Sequence, residues 1–318
     1  MDNRKIVCLG GGVGTANLIK GLKSHFEDIS VVLSMADDGG SSGRLRRLYN
    51  IPPPGDLVSC MASFVDKQSY IYKLLSYRFE GDRYGKDADL PGHKLGNLIM
   101  VSLRDITGDF EKAIDLFREI FNIKEGVFLP ATKENVSISA RTIEGKRIYG
   151  EEKIDLGKYK GMRVLEKVFL EPGSVNANPK ALESIKQSDI IIAGPGDLYT
   201  TILPVLIIKE ITQSLRKSKA LKLFIVNVAN KPFETKGYCV QDYIDAVERH
   251  LGFFPFDKVI VNTNYTFPIP KKYKYSYVSL EKLKPDFYGK IIESDLVDEN
   301  FPLYHNSIKL AKAILKNI

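Results

Sequence analysis

The chain opens on a continuous apolar run, "KIVCLG", which has the length of a buried strand and ends in the glycines of "GGGVGT". "ANLIKGLKSHF" then places Leu18, Leu22 and Phe26 on one helical face. "DISVVLSMA" predicts a second buried strand, so the chain begins with a βαβ unit. Over residues 50–125 the spacing is mainly helical, in "DLVSCMASFV", "YIYKLLSYRF", "HKLGNLIMVSLRDI" and "DFEKAIDLFREIF". The pattern then changes to short strands joined by turns, in "GVFLPAT", "NVSISARTIEG", "KRIYGEEKI" and "RVLEKVFLE". Helix, buried strand and glycine turn return in "PKALESIKQSDIIIAGPGDLY". "ALKLFIVNVA" and "DKVIVNT" are further buried strands, with the helix "VQDYIDAVERHLG" between them, closed by Gly252. "IKLAKAILKNI" predicts a terminal amphipathic helix.

Strands that alternate with helices imply an α/β fold: a Rossmann-like, doubly wound, mostly parallel sheet with a helical segment and a small β-rich insertion. No repeat or low-complexity linker divides the sequence. Residues 1–318 are therefore expected to form one α/β domain, with the insertion at 126–170.

Composition narrows the function classes. The chain is 44% hydrophobic and 27% charged, an ordinary globular profile. Its net charge of +7 comes partly from lysine clusters such as "PKKYKYSY", which read as a solvated face. No zinc-finger spacing or recognition helix is visible, so nucleic acid is not an expected partner. Cys8, Cys60 and Cys239 lie far apart and form no CxxC pair, which argues against a disulfide framework or a zinc site. The start lacks the apolar core of a signal peptide, and no apolar run approaches the length of a membrane span. A cytoplasmic protein with no membrane contact is expected, and a homodimer on the frequency of symmetric assemblies alone.

Candidate chemistry gathers at the strand ends. In "GGGVGT", glycines between a strand and a helix let backbone N–H groups approach an anion at the positive end of the helix dipole. A tight turn without a ligand is the plainer reading. The spacing matches neither the dinucleotide fingerprint nor the phosphate-loop lysine pattern. "MADDGGSSGRLRRLY" follows the second strand and so falls at the same sheet edge. There Asp37 or Asp38 would bind a ribose hydroxyl, or the two would hold Mg²⁺ with a diphosphate, or they would cap a helix. Arg44 reads as a phosphate clamp, because a guanidinium can pair with two oxygens at once. Arg46 and Arg47 read as solvated. Asp56, after three prolines and a glycine, reads as a helix cap or as a metal or substrate contact. His93 and Asn97 are four apart on one helix face, for a ligand or for the core. His25, His250 and His305 read as structural. "GPGDLYT" is a second anion-friendly strand end, followed by Asp197, Tyr199 and Thr200. "NVANKPFETKGY" is a third, with Asn227, Glu234 and Thr235. No GxSxG elbow or histidine–cysteine cluster appears, which argues against acyl transfer.

Taken in order, "GGGVGT", "DDGGSSGRLRR", "PPPGD", "GHKLGN", "GPGDLYT" and "NVANKPFETKGY" resemble the YvcK family (gluconeogenesis factor, UPF0052), which is related to the CofD family of 2-phospho-L-lactate transferases. The resemblance runs from the first strand to the final helix. It implies a UDP-sugar ligand such as UDP-N-acetylglucosamine, a regulatory role in cell shape and cell-wall growth on gluconeogenic carbon, and a regulatory protein partner. The transferase relatives imply Mg²⁺ and a nucleotide-activated phosphoacid. Carried onto this chain, the ligand-facing set is Gly11, Gly12, Gly14, Thr15, Asp37, Asp38, Ser41, Ser42, Arg44, Asp56, His93, Asn97, Gly194 and Gly196, with Asp37 and Asp38 as metal ligands. The chain departs from the family pattern at Val58, where an arginine is usual, and at Asp197, in place of serine. It also has "KPFET" for "QPGET", and Tyr304–His305–Asn306 where "RHD" is common.

Overall fold

The computed structural model describes residues 2–160 and 164–318. The first apolar run is strand β1 (Ile6–Gly10), and helix α1 (Gly12–Leu22) leads to β2 (Ile29–Leu33). Five helices follow: α2 (Gly40–Tyr49), α3 (Gly55–Ala62), α4 (Tyr70–Ser76), α5 (Leu95–Thr107) and α6 (Phe110–Ile120). Next come β3 (Val127–Pro130), β4 (Ser137–Thr142), β5 (Arg147–Tyr149), α7 (Glu151–Asp155) and β6 (Leu165–Glu171). Then α8 (Pro179–Gln187) precedes β7 (Ile190–Ala193), and a π-turn at Leu198–Ile202 leads into α9 (Leu203–Leu206) and α10 (Lys209–Lys217). The last third holds β8 (Leu221–Ile225), β9 (Ala229–Asn230), α11 (Val240–Leu251), β10 (Lys258–Asn262), β11 (Ser276–Tyr277), β12 (Ile291–Ser294) and α12 (Ser307–Leu315).

Seven strands form one sheet in the order β12-β10-β8-β7-β1-β2-β3, and every neighbouring pair is parallel. The strands β1, β2 and β7 are buried at every position, which explains their unbroken apolar sequence: helices cover both faces. The chain builds outward from β1 through β2 to β3, then returns to the other side of β1 with β7. The reversal leaves a crevice at the carboxyl ends of β1 and β7, the topological switch point of a Rossmann-like sheet.

A separate antiparallel sheet, in the order β5-β4-β6, carries the predicted strands "NVSISARTIEG", "KRIYG" and "RVLEKVFLE". The first residue of the last run, Arg163, lies outside the described residues. Two details differ from the sequence reading. The run "GVFLPAT" is not part of this small sheet: β3 pairs with β2 and edges the main one. "EEKI" is the helix α7, not the continuation of a strand. Gly150, at φ 96°, turns the chain out of β5, and the Asp38 carboxylate accepts the Glu152 N–H at 2.8 Å to anchor the helix start. These contacts bring α7 against the crevice. No helix among the described residues is long and apolar enough to cross a membrane.

Candidate functional site

A cavity of about 280 Å³ occupies the crevice. Its walls are the "GGGVGT" turn, the loop after β2, the "GPGD" turn, α7, the Asn227–Lys231 segment, and Tyr275 and Tyr304. Of the ligand-facing residues expected from sequence, it brings together Gly11, Gly12, Gly14, Asp37, Asp56 and Gly196. Gly12 sits at φ 66°, a region that disfavours side chains, so the turn into α1 depends on glycine there. Gly14 has a different reason. A Cβ at this position would overlap the Pro195 carbonyl, so its absence lets the two glycine turns touch across the switch point. Thr15 serves the turn itself: its Oγ1 accepts the Gly11 N–H at 2.8 Å, and the side chain is fully buried.

Six carboxylates line this cavity: Asp37, Asp56, Glu151, Glu152, Asp155 and Asp197. Among the described residues, the lysine and arginine side chains there are two, Arg83 and Lys231. Asp56 does not cap α3, whose N-cap is Pro54. Its carboxylate turns back across the sheet edge and accepts the Gly12 N–H at the start of α1. Asp37 accepts the Gly39 N–H at 2.9 Å. A Cβ on Gly39 would stand 2.7 Å from Glu151 Oε2 and 3.6 Å from Asp37 Oδ1, so a bare glycine lets these carboxylates converge. Burial pushes Asp37 up to about 6, with Asp38 adding repulsion. Burial and then Asp37 push Asp56 up to about 7. Burial, then Asp37 and Asp155, holds Glu151 well above the usual carboxylate range. Buried carboxylates kept near neutrality by one another suit a hard divalent cation, and an all-oxygen donor set suits Mg²⁺.

These shifts set a pH dependence. A carboxyl group whose folded pKa is raised keeps its proton after the unfolded chain has released its own. It therefore costs stability as pH climbs from the unfolded value through the folded one. Below about pH 6.5, the buried His250 and His305 oppose this trend: burial lowers both to about 4, so the unfolded chain takes up protons that they refuse. That effect is complete above the ordinary histidine range, leaving the raised carboxyls, among them Asp56 (about 7), Glu234 (about 8) and Glu151, to set the trend. The metal-free protein is expected to lose stability between about pH 6.5 and pH 8.5, read from urea midpoints in EDTA.

Lys231 meets the other half of the acid cluster. Its ammonium pairs with Asp155, with Asp197 at 2.7 Å and with Glu234 at 3.8 Å. Burial opposes the charge, but Asp197, Glu234 and Asp155 hold it well above the usual lysine range. The Glu234 carboxylate also accepts the Thr200 hydroxyl at 2.7 Å and the Tyr199 N–H at 3.1 Å. Two departures from the family pattern are thus partners. Asp197 and Lys231, which the sequence reading set apart from the expected family pattern, neutralise each other.

Several expected ligand residues lie outside the cavity. Arg44 is fully buried, and its guanidinium donates to the carbonyls of Pro91 at 2.8 Å, Asp82 at 3.3 Å and Asp89. The phosphate-clamp reading is therefore corrected: Arg44 pins the loop that carries Arg83 and Tyr84 to the cavity wall. Arg44→Met is expected to cost about 2 kcal/mol in urea unfolding, because the buried guanidinium that ties three loop carbonyls together is lost. Asp38 is committed to α7 and to the Ser137 hydroxyl, which donates to it at 3.2 Å, so it does not join Asp37 as a metal pair. Ser41 accepts from Arg78 at 3.2 Å, and Ser42 packs against Gly55. His93 and Asn97 are buried, each with one unpartnered polar atom, at the junction of these loops rather than in the cavity. Gly194 abuts the Ile225 carbonyl inside the sheet edge. Arg46 is likewise not solvated: it is buried and donates to Asn135 Oδ1 at 2.6 Å.

Among the charged cavity residues, Arg83, Glu151, Glu152 and Asp155 carried no sequence expectation. Glu151 and Asp155 are four apart, the spacing of one helix face. That signal was hidden because the segment reads as strand.

Comparison with known proteins supplies the kinship. A family model described as 2-phospho-L-lactate transferase CofD matches residues 6–299. A protein of Aquifex aeolicus is 38% identical over 328 residues, 99% of this chain and 97% of its own. The gluconeogenesis factor of Bacillus subtilis is 36% identical over 308 residues, 96% of this chain and 93% of its own. A crystal structure of a Bacillus halodurans protein superposes with a TM-score of 0.88 at 32% identity, covering 99% of this chain and all of that one.

Proposed function

The chain belongs to the CofD family, with gluconeogenesis factors among its full-length relatives, and from that premise we propose that it is a nucleotide-sugar-binding regulatory protein. The ligand is a UDP-sugar such as UDP-N-acetylglucosamine, and its binding regulates cell shape and cell-wall growth on gluconeogenic carbon. The observation that carries this reading is the carboxylate-rich cavity at the switch point, set against the glycine turn that opens α1. A bare diphosphate would be repelled by six carboxylates. A divalent cation, when bound, would neutralise them and link them to phosphate oxygens. Asp37 and Asp56 would hold it, with Glu151 beside them. The α1 N-terminus would face the remaining phosphate charge. Tyr275 and Tyr304 would flank the nucleoside at the mouth, where Tyr304 already stacks on Phe301 at 5.2 Å between ring centroids. Binding would shift the loops that carry Arg83 and α7, to the extent that the ligand prefers one of their conformations.

A second reading is a CofD-type transferase of a nucleotide-activated phosphoacid. It is favoured by Asp56, a carboxyl held at about 7 beside the glycine turn, where it would accept a proton at neutral pH. Phosphorus NMR of the protein incubated with UDP-N-acetylglucosamine and Mg²⁺ separates the two. The regulatory reading expects a protein-dependent change in the diphosphate resonances with no new species on long incubation. A new phosphorus-bearing product would replace it with the transferase.

A further inference from the structure

The first two turns of α1 are shared by two cavities of opposite character. Val13 and Asn17 line the carboxylate cavity and also a second one, of about 470 Å³, between α1, α3, α4 and the start of α5. Four lysines line the second cavity, Lys20, Lys23, Lys67 and Lys94, against one carboxylate, Asp66. Asp66 is partly engaged already, accepting the Gln68 N–H at 3.1 Å. Lys23 donates to the Ser63 carbonyl at 2.9 Å and Lys94 to the Ser59 hydroxyl at 3.2 Å, both neutral acceptors. The carboxylates that support these charges from further off are Glu125 and Asp66 for Lys23, Asp298 for Lys20 and Asp56 for Lys94. They do not outweigh the crowding. Burial first, and then the charge of Lys67, holds Lys20 below the ordinary lysine range. Burial and then Arg78 do the same to Lys94. Between the lysines lies an apolar floor of Ala16, Ala62, Val65 and Tyr72.

Lysines that serve only solubility spread apart over convex surface. These four converge on a concavity, where like charges repel until an anion enters. The floor offers contact for a carbon skeleton, and the volume suits a small molecule. We propose that this cleft is a binding site for a phosphorylated small molecule carrying at least two negative charges, separate from the carboxylate cavity. The opposite signs of the two cavities give the selectivity: without a metal, an anion is repelled by the first and drawn to the second.

The test is calorimetric titration of the full chain with inorganic pyrophosphate in EDTA, which removes any metal-bridged binding in the carboxylate cavity. One site per chain is expected, weakening as salt is raised. The double variant Lys20→Met, Lys67→Met should weaken binding at least about tenfold, because two of the four charges are gone. Lys20→Arg, Lys67→Arg should retain it. Both lysines are exposed, so the variants should fold, and melting curves check this. Absence of metal-free pyrophosphate binding would overturn the proposal. So would binding that is undiminished in the double methionine variant.

Discussion

Asp56→Asn is expected to make the metal-free protein more stable and to abolish its divalent-cation-dependent ligand binding, opposite effects from one substitution. Asp56 is half-buried beside Asp37, and desolvation and then the Asp37 charge push it up to about 7, so at pH 8 its charge is held at a cost to the folded state. Asparagine keeps an oxygen to accept the Gly12 N–H and removes the charge. The urea midpoint at pH 8 in EDTA should therefore rise, and the fall in stability above pH 6.5 should flatten. The same charge is what a cation bridging to a diphosphate would need. Affinity for a UDP-sugar with Mg²⁺ should fall by roughly 100-fold, about 2.7 kcal/mol. A residue that merely supports the fold would lower both quantities together.

Lys231→Met should be the most damaging single change in the cavity wall. It leaves Asp155, Asp197 and Glu234 facing one another without their shared cation. Removing one partner from a fully buried ionic cluster costs about 3–5 kcal/mol; here only Glu234 is fully buried and Asp197 is 37% exposed, so about 2 kcal/mol is expected. The loss should shrink at pH 5.5, because Glu234, already pushed up to about 8 by burial and then Asp197, takes a proton readily. A urea series at pH 8 and pH 5.5 measures both. Restoring serine at Asp197 in the same chain should recover part of the loss, since the pair is coupled.

The strands were legible because a sheet covered on both faces demands unbroken apolar runs, as in "KIVCLG" and "DIIIAG". Which sheet a short run joins was not legible in "GVFLPAT": one exposed and three buried positions carry no mark of their partner. The glycine turns at Gly12 and Gly14 were readable because steric needs are local. Arg44 was misread for the opposite reason. Glycines and serines surround it along the chain, yet its three carbonyl partners lie 38, 45 and 47 residues away. Asp37 and Asp56 came out of sequence as separate acids, and only the fold sets them across the same glycine turn. Asp38, next to Asp37, points instead to α7, because adjacent residues in an extended loop face different ways. Lys231 and Asp197 looked like two unrelated departures from the family pattern, and their compensation appears only when the two loops meet.

In the proposed function, the cavity binds a nucleotide diphosphate through a divalent cation that Asp37 and Asp56 would hold. Calorimetric titration of the purified chain with UDP-N-acetylglucosamine, once with Mg²⁺ and once in EDTA, tests it most directly. Saturable one-site binding is expected with Mg²⁺, and none detectable in EDTA. Binding of equal strength in EDTA, or no binding under either condition, would contradict it.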